Sequence, residues 1–153
     1  MAVTGHVFPQ YIIGMGAGDI GMPGGTYKIA LSNAAGPISL ATSGVSTAKL
    51  WTDWTSNVAA EITGTGYSAG GATVSSPTFT AGGTDNEVAT FTSATNPSWT
   101  SASFSANQAI LYESSASGYQ LIAFWDFGGS VTVTDATFEL AINASGLMTI
   151  TTS

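Results

Sequence analysis

The chain has 153 residues, enough for one domain with a sizeable core, and its 44% hydrophobic content excludes a disordered polar chain. Charged residues make up only 7%, against roughly 25% in an average soluble domain, so Ser, Thr, Asn and Gly must supply most of the polar surface. Two lysines and no arginine stand against nine carboxylates; this net charge of −7 argues against binding nucleic acid or an anionic membrane, and the lack of cysteine excludes disulfides and Cys-based metal sites.

Residues 1–25, with six glycines after the Tyr11-Ile12-Ile13 run and no helical period, read as an extended N-terminal arm with room for one short strand or turn at 7–13. No stretch approaches the roughly 20 apolar residues of a membrane span. The start of the chain also lacks the basic and apolar regions of a secretory signal, so neither feature is expected.

From Tyr27 onward the pattern is β-structure cut by turns, giving a single β-domain over 26–153. Residues 26–32 alternate as a strand. The runs 58–63, 71–80 and 87–93 are short, β-branched or aromatic, and bounded by Gly, Asp and Asn. Residues 107–114 and 119–127 are the strongest core candidates, joined by a Ser-Ala-Ser-Gly hairpin connection, and the second is apolar on both faces, as a strand covered on both sides should be. In 136–143, Phe138, Leu140 and Ile142 share one face of a half-buried strand, which is expected to pair with 147–153 through Ala-Ser-Gly. No segment combines helical period with good helix formers over 12 residues; 46–60 comes nearest, weakened by its Thr and Trp content. About eight strands with Gly-, Ser- and Asn-rich turns predict an all-β fold, an antiparallel β-sandwich or jelly-roll-like barrel with an extended N-terminal arm.

Several motifs imitate chemistry. Gly66-Tyr67-Ser68-Ala69-Gly70 matches Gly-x-Ser-x-Gly, but a nucleophile elbow needs a following helix and a downstream histidine. Here turn and strand follow, and the sole histidine is His6, upstream. Residues 16–21 match Gly-x-Gly-x-x-Gly, yet Met22-Pro23-Gly24-Gly25 leaves no helix to receive a pyrophosphate. Asp85, Asn86 and Glu87 lack calcium-loop spacing and read as a surface turn. Asp126, among Phe124, Trp125, Phe127 and Gly128, is expected to accept backbone hydrogen bonds in the Gly128-Gly129 turn rather than to act as a tuned acid. We therefore expect no catalytic residue, no cofactor and no metal. Of the tryptophans, Trp125 belongs to the most apolar strand and should be core, whereas Trp51 and Trp54 could face a partner or stack on a sugar.

Two blocks carry a family resemblance: Glu61-Ile62-Thr63-Gly64-Thr65-Gly66-Tyr67-Ser68-Ala69-Gly70-Gly71, after the strand Tyr27–Leu31, and Leu121–Ala123 leading to Asp126-Phe127-Gly128-Gly129. Over residues 26–150 the chain resembles a group of small tailed-bacteriophage virion proteins, some of which are similar to capsid decoration (cement) proteins. The resemblance implies a non-enzymatic structural protein on the capsid exterior that binds the major capsid protein and itself as a homotrimer. It further implies a structural turn at Gly64, Gly66, Tyr67, Gly70 and Gly71, a second at Asp126, Gly128 and Gly129, and a closing β-hairpin. Residues 1–25 depart from the family pattern, which has a longer N-terminal helix. The arm could dock by adding a strand to a neighbour, which makes Phe8, Tyr11, Ile12 and Ile13, with Trp51 and Trp54, the candidate partner contacts. A tail- or fibre-associated β-module, with glycan binding through Trp51 and Trp54, is the competing expectation.

Overall fold

The structure is a computed structural model that describes residues 3–17, 25–34, 37–82, 88–115, 119–143 and 146–151. The Asp85–Glu87 turn and most of the loop at 16–21 lie outside them. In chain order the elements are β1 (Thr4–Val7), α1 (Pro9–Ala17), β2 (Tyr27–Ser32), α2 (Trp51–Asn57), β3 (Ala72–Thr73), β4 (Thr78–Gly82), β5 (Val88–Thr92), β6 (Ser98–Glu113), β7 (Gln120–Glu139) and β8 (Met148–Thr151). They form two antiparallel sheets, one of five strands in the order β1-β7-β6-β2-β3 and one of three in the order β4-β5-β8. The fold is all-β, as the turn-punctuated alternation implies.

The frame of the larger sheet is the β6–β7 hairpin, which runs from Glu113↔Gln120 at its turn to Ser98↔Glu139 at its far end. Near the turn both strands are buried on both faces (Gln108 to Tyr112, and Leu121 to Phe124), which accounts for their unbroken apolar sequence. β2 pairs along β6 from Tyr27↔Glu113 to Ser32↔Gln108, and Tyr27 meets Phe91 of β5 edge-on at 5.1 Å, joining the two sheets.

Several expectations from the sequence are corrected. Residues 136–143 do not form a hairpin with 147–153. The first half of that segment is the end of β7, which pairs with β6, and β8 pairs with β5 in the other sheet. Phe138 draws the chain along the larger sheet, packing on Phe104, Trp99 and Phe127 at 5.4, 5.7 and 6.4 Å. Residues 58–63 make a single bridge, Ser32↔Glu61, rather than a strand. The segment 46–60 does contain a helix, α2. Its start is held by the Asp53 carboxylate, which accepts hydrogen bonds from the Lys49 and Leu50 amides at 2.9 and 2.8 Å.

The described part of the N-terminal segment is docked on the domain. β1 pairs with β7 from Thr4↔Asp126 to Val7↔Ala123, and Pro9 opens α1 at the position where its missing N–H costs nothing. Phe8 fills an aromatic cluster with Phe124 at 5.2 Å and Trp54 at 5.8 Å. Burying such a ring is worth roughly 1.5–3 kcal/mol, enough to hold a helix with two internal glycines that would not form alone.

Candidate functional site

The two sequence blocks that stand out as motifs become two built features. The first is a clamp formed by residues 61–71 over β2 and β6. Tyr67 lies half-buried, stacked on Trp99 at 6.0 Å and edge-on to Phe104 at 5.8 Å. Its hydroxyl accepts a hydrogen bond from the Leu31 amide at 2.9 Å and donates to Glu61 Oε1 at 2.8 Å. The same carboxylate oxygen accepts from the Gly70 amide at 2.6 Å, and the Gly70 carbonyl accepts from the Tyr112 hydroxyl at 2.7 Å. Burial pushes the Tyr67 hydroxyl well above the ordinary tyrosine range; the Leu31 amide opposes the shift and Glu61 adds to it.

Glycine is required at the end of this clamp. Gly71 has φ +71°, and a side chain there would run into the Ile29 carbonyl, so the chain can cross β2 this closely only without a Cβ. Gly64 accepts the Tyr67 amide at 3.2 Å, and Gly66 passes against the Thr100 carbonyl. The clamp is a structural turn in which every polar group near Tyr67 is spoken for.

Ser68 is exposed on this clamp, beside the β3 edge of the larger sheet. His6 lies in β1 at the opposite edge, tilted on Phe124 at 5.0 Å. Four strand spacings separate those edges, on the order of 19 Å, so the imidazole cannot activate the Ser68 hydroxyl.

The second feature is a polar knot around Asp126, inside the larger sheet. Asp126 is buried; its Oδ1 accepts from the Gly128 amide at 2.7 Å, and its Oδ2 accepts from the Ile38 amide at 2.6 Å and from Gln108 Nε2 at 3.4 Å. Gln108 Oε1 in turn accepts from Ser32 Oγ and the Ala34 amide at 3.1 and 3.0 Å. Asn107 Nδ2 donates to the Ala34 carbonyl at 2.6 Å. The carboxylate thus ties Ile38 to β7, and Gln108 ties Ala34 to β6.

Gly128 and Gly129 form no turn between strands; this is a correction to the sequence reading. They lie inside β7, where the pairing passes from Gln108↔Asp126 to Ala106↔Val131, so β7 carries a bulge opposite Asn107. Gly128, at φ +73°, lets the bulge fold back so that its amide reaches Asp126.

The candidate partner contacts divide. Phe8, Tyr11, Trp51 and Trp54 are buried within the chain, Trp54 at 0% exposure, with Trp51 stacked on Tyr112 at 5.4 Å. They serve the core: Phe8, Trp54 and Phe124 form one aromatic cluster, and Trp51 packs on β6. Ile12 and Ile13, on the outer face of α1, are exposed at 56% and 60%. Trp125, expected as core, is only part-buried and lines an open apolar groove of about 610 Å³. Phe127, Val131, Phe138, Leu140 and Leu147 also line it. Sequence reasoning missed this groove because its walls come from β7, from residues 140–143 and from Gly146 and Leu147, which share no local pattern.

Among the described residues no cluster of three His, Cys, Asp or Glu could hold a metal ion, and no helix is long and apolar enough to cross a membrane. No protein-family model, curated protein or solved structure matches the chain.

Proposed function

We propose that the chain is a structural protein of a tailed-bacteriophage virion, a capsid decoration protein that binds the major capsid protein on the outside of the shell as a homotrimer. The observation that carries this reading is the sequence likeness over residues 26–150, concentrated in the Gly64–Gly71 and Asp126–Gly129 blocks. Its support from the geometry is that both blocks serve architecture. One clamps β2 to β6 through Tyr67 and Glu61, and the other ties Ile38 to a bulge through Asp126. A chain with 7% charged residues and uncovered strand edges also suits a protein that is buried among copies and against a lattice. In such a setting many weak contacts, repeated over the shell, resist its expansion through multivalency.

The competing glycan-binding module loses the residues it would use, since Trp51 and Trp54 stack inside the domain. Electron microscopy of purified virions tests the proposal. Density for the chain on the capsid exterior supports it; density only at the tail, or no incorporation, overturns it.

A further inference from the structure

An all-β chain that assembles must use or hide its strand edges, because an unpaired edge offers a row of free N–H and C=O groups. Here most edges are covered or too short. β3 has two residues, and β1 and β8 line one cleft together through Gly5, His6, Val7, Met148 and Thr149, so each has the other beside it. Two edges remain among the described residues. β1 stops at Asp126, which leaves the outer side of β7 beyond the bulge without a partner strand, and β4 is paired only by β5.

These two edges match. Val131–Thr134 of β7 is a four-residue stretch between the bulge and Asp135, whose φ of +47° marks a second irregularity in the strand, and β4 is five residues long. Neither contains a charge or a proline, two of the residue types that repel a pairing strand. Their faces alternate alike: Thr132 and Thr134 are exposed while Val131 and Val133 are half-buried, and Thr78 and Thr80 are exposed while Phe79 is half-buried. Joined antiparallel, threonines would continue the outer face and Phe79 would extend the apolar side, where the groove beside Val131 opens. Strand addition of this kind takes affinity from the main chain and specificity from alternate side chains.

We infer that the β7 edge at Val131–Thr134 receives the β4 edge of a second copy of this chain. This rests on the trimer of the proposed function. In a cyclic trimer every contact is head-to-tail, so one copy must offer two different complementary edges. A pairing of β7 with itself would close a dimer instead.

The absence of cysteine makes the test direct. With Thr132 centred opposite Thr80, cross-strand Cβ atoms fall about 4.5–5.5 Å apart, close enough that a small side-chain adjustment forms a disulfide. The variants are T80C, T132C and the double T80C/T132C, with T80C/T134C to capture a two-residue slip. Each is oxidised with copper phenanthroline, run on a non-reducing gel, and sized by light scattering. The expected result is no cross-link in either single variant and covalent species of up to three copies in one of the double variants. Covalent dimers of T132C alone would overturn the inference by showing β7 paired with itself. A trimer by light scattering with no cross-link in either double variant would overturn the edge pairing while leaving the trimer standing. A monomer would remove the trimer as well.

Discussion

Tyr67→Phe isolates what the Gly64–Gly71 block contributes. The ring and its contacts with Trp99 and Phe104 remain, and only the hydroxyl oxygen is lost. That oxygen is the acceptor for the Leu31 amide at 2.9 Å, and Leu31 is completely buried, so water cannot replace it. A buried N–H left without a partner costs about 1–3 kcal/mol, and the lost bond to the half-exposed Glu61 carboxylate adds about 1 kcal/mol. The sum is about 2–4 kcal/mol, against roughly 0.5 kcal/mol or less for Ser68→Ala on the exposed neighbouring residue. Urea unfolding of wild type and both variants at one protein concentration measures this, as a shift in midpoint with an unchanged slope. If Tyr67→Phe stays within about 0.5 kcal/mol of wild type, the hydroxyl is not holding the clamp to β2, and the reasoning fails.

Asp126→Asn preserves shape but turns one carboxylate oxygen into a donor, so either the Ile38 or the Gly128 amide faces an N–H group. A loss of about 2–4 kcal/mol is expected, with faster hydrogen exchange at those two amides; unchanged exchange would dissociate Asp126 from Ile38. Alkali should also act through the buried tyrosines. Burial raises the hydroxyl of Tyr112 from 10.0 to about 12, with Glu61 and Tyr119 adding to it, and raises Tyr11, Tyr27 and Tyr67 as well. Because the unfolded chain loses these protons at lower pH than the folded one, the stability they contribute is complete below pH 10 and falls as pH climbs from there through about 12. Unfolding midpoints measured across that window should drop, and a flat profile would contradict the burial of these hydroxyls.

What could be read from the sequence follows from how locally each element is encoded. β2, the second half of β6 and the first half of β7 are legible because continuous burial leaves continuous apolar runs at Tyr27–Leu31, Ala109–Tyr112 and Leu121–Phe124. The first half of β6 is hidden. Trp99 faces inward, but the pairing shifts between Trp99 and Ala102, so the inward set changes parity to Ala102, Phe104 and Ala106. Small residues and a changed parity together erase the alternation. α1 is illegible because Gly14 and Gly16 lower its propensity, and it stands through the docking of Phe8 on distant β7 and α2 and the burial of Tyr11. Asp126 is read correctly as an acceptor of backbone bonds. The bulge is missed because Asp-Phe-Gly-Gly has the chemistry of a turn, and only the partner strand determines whether the chain reverses or continues.

The pairing of β1 with β7 also sets an order of events during synthesis. Thr4 and Asp126 are opposite one another, yet almost the whole domain separates them along the chain. A ribosome adding about 5–20 residues per second releases the first strand on the order of ten seconds before its partner exists. The β6–β7 hairpin can zip from its own turn without waiting, because its first contacts close only a short loop. The N-terminal segment therefore waits for β7 before it can dock. Phe8 and Tyr11 spend that interval uncovered, and a newly made chain meets its neighbours with two aromatic rings that the finished fold has put away.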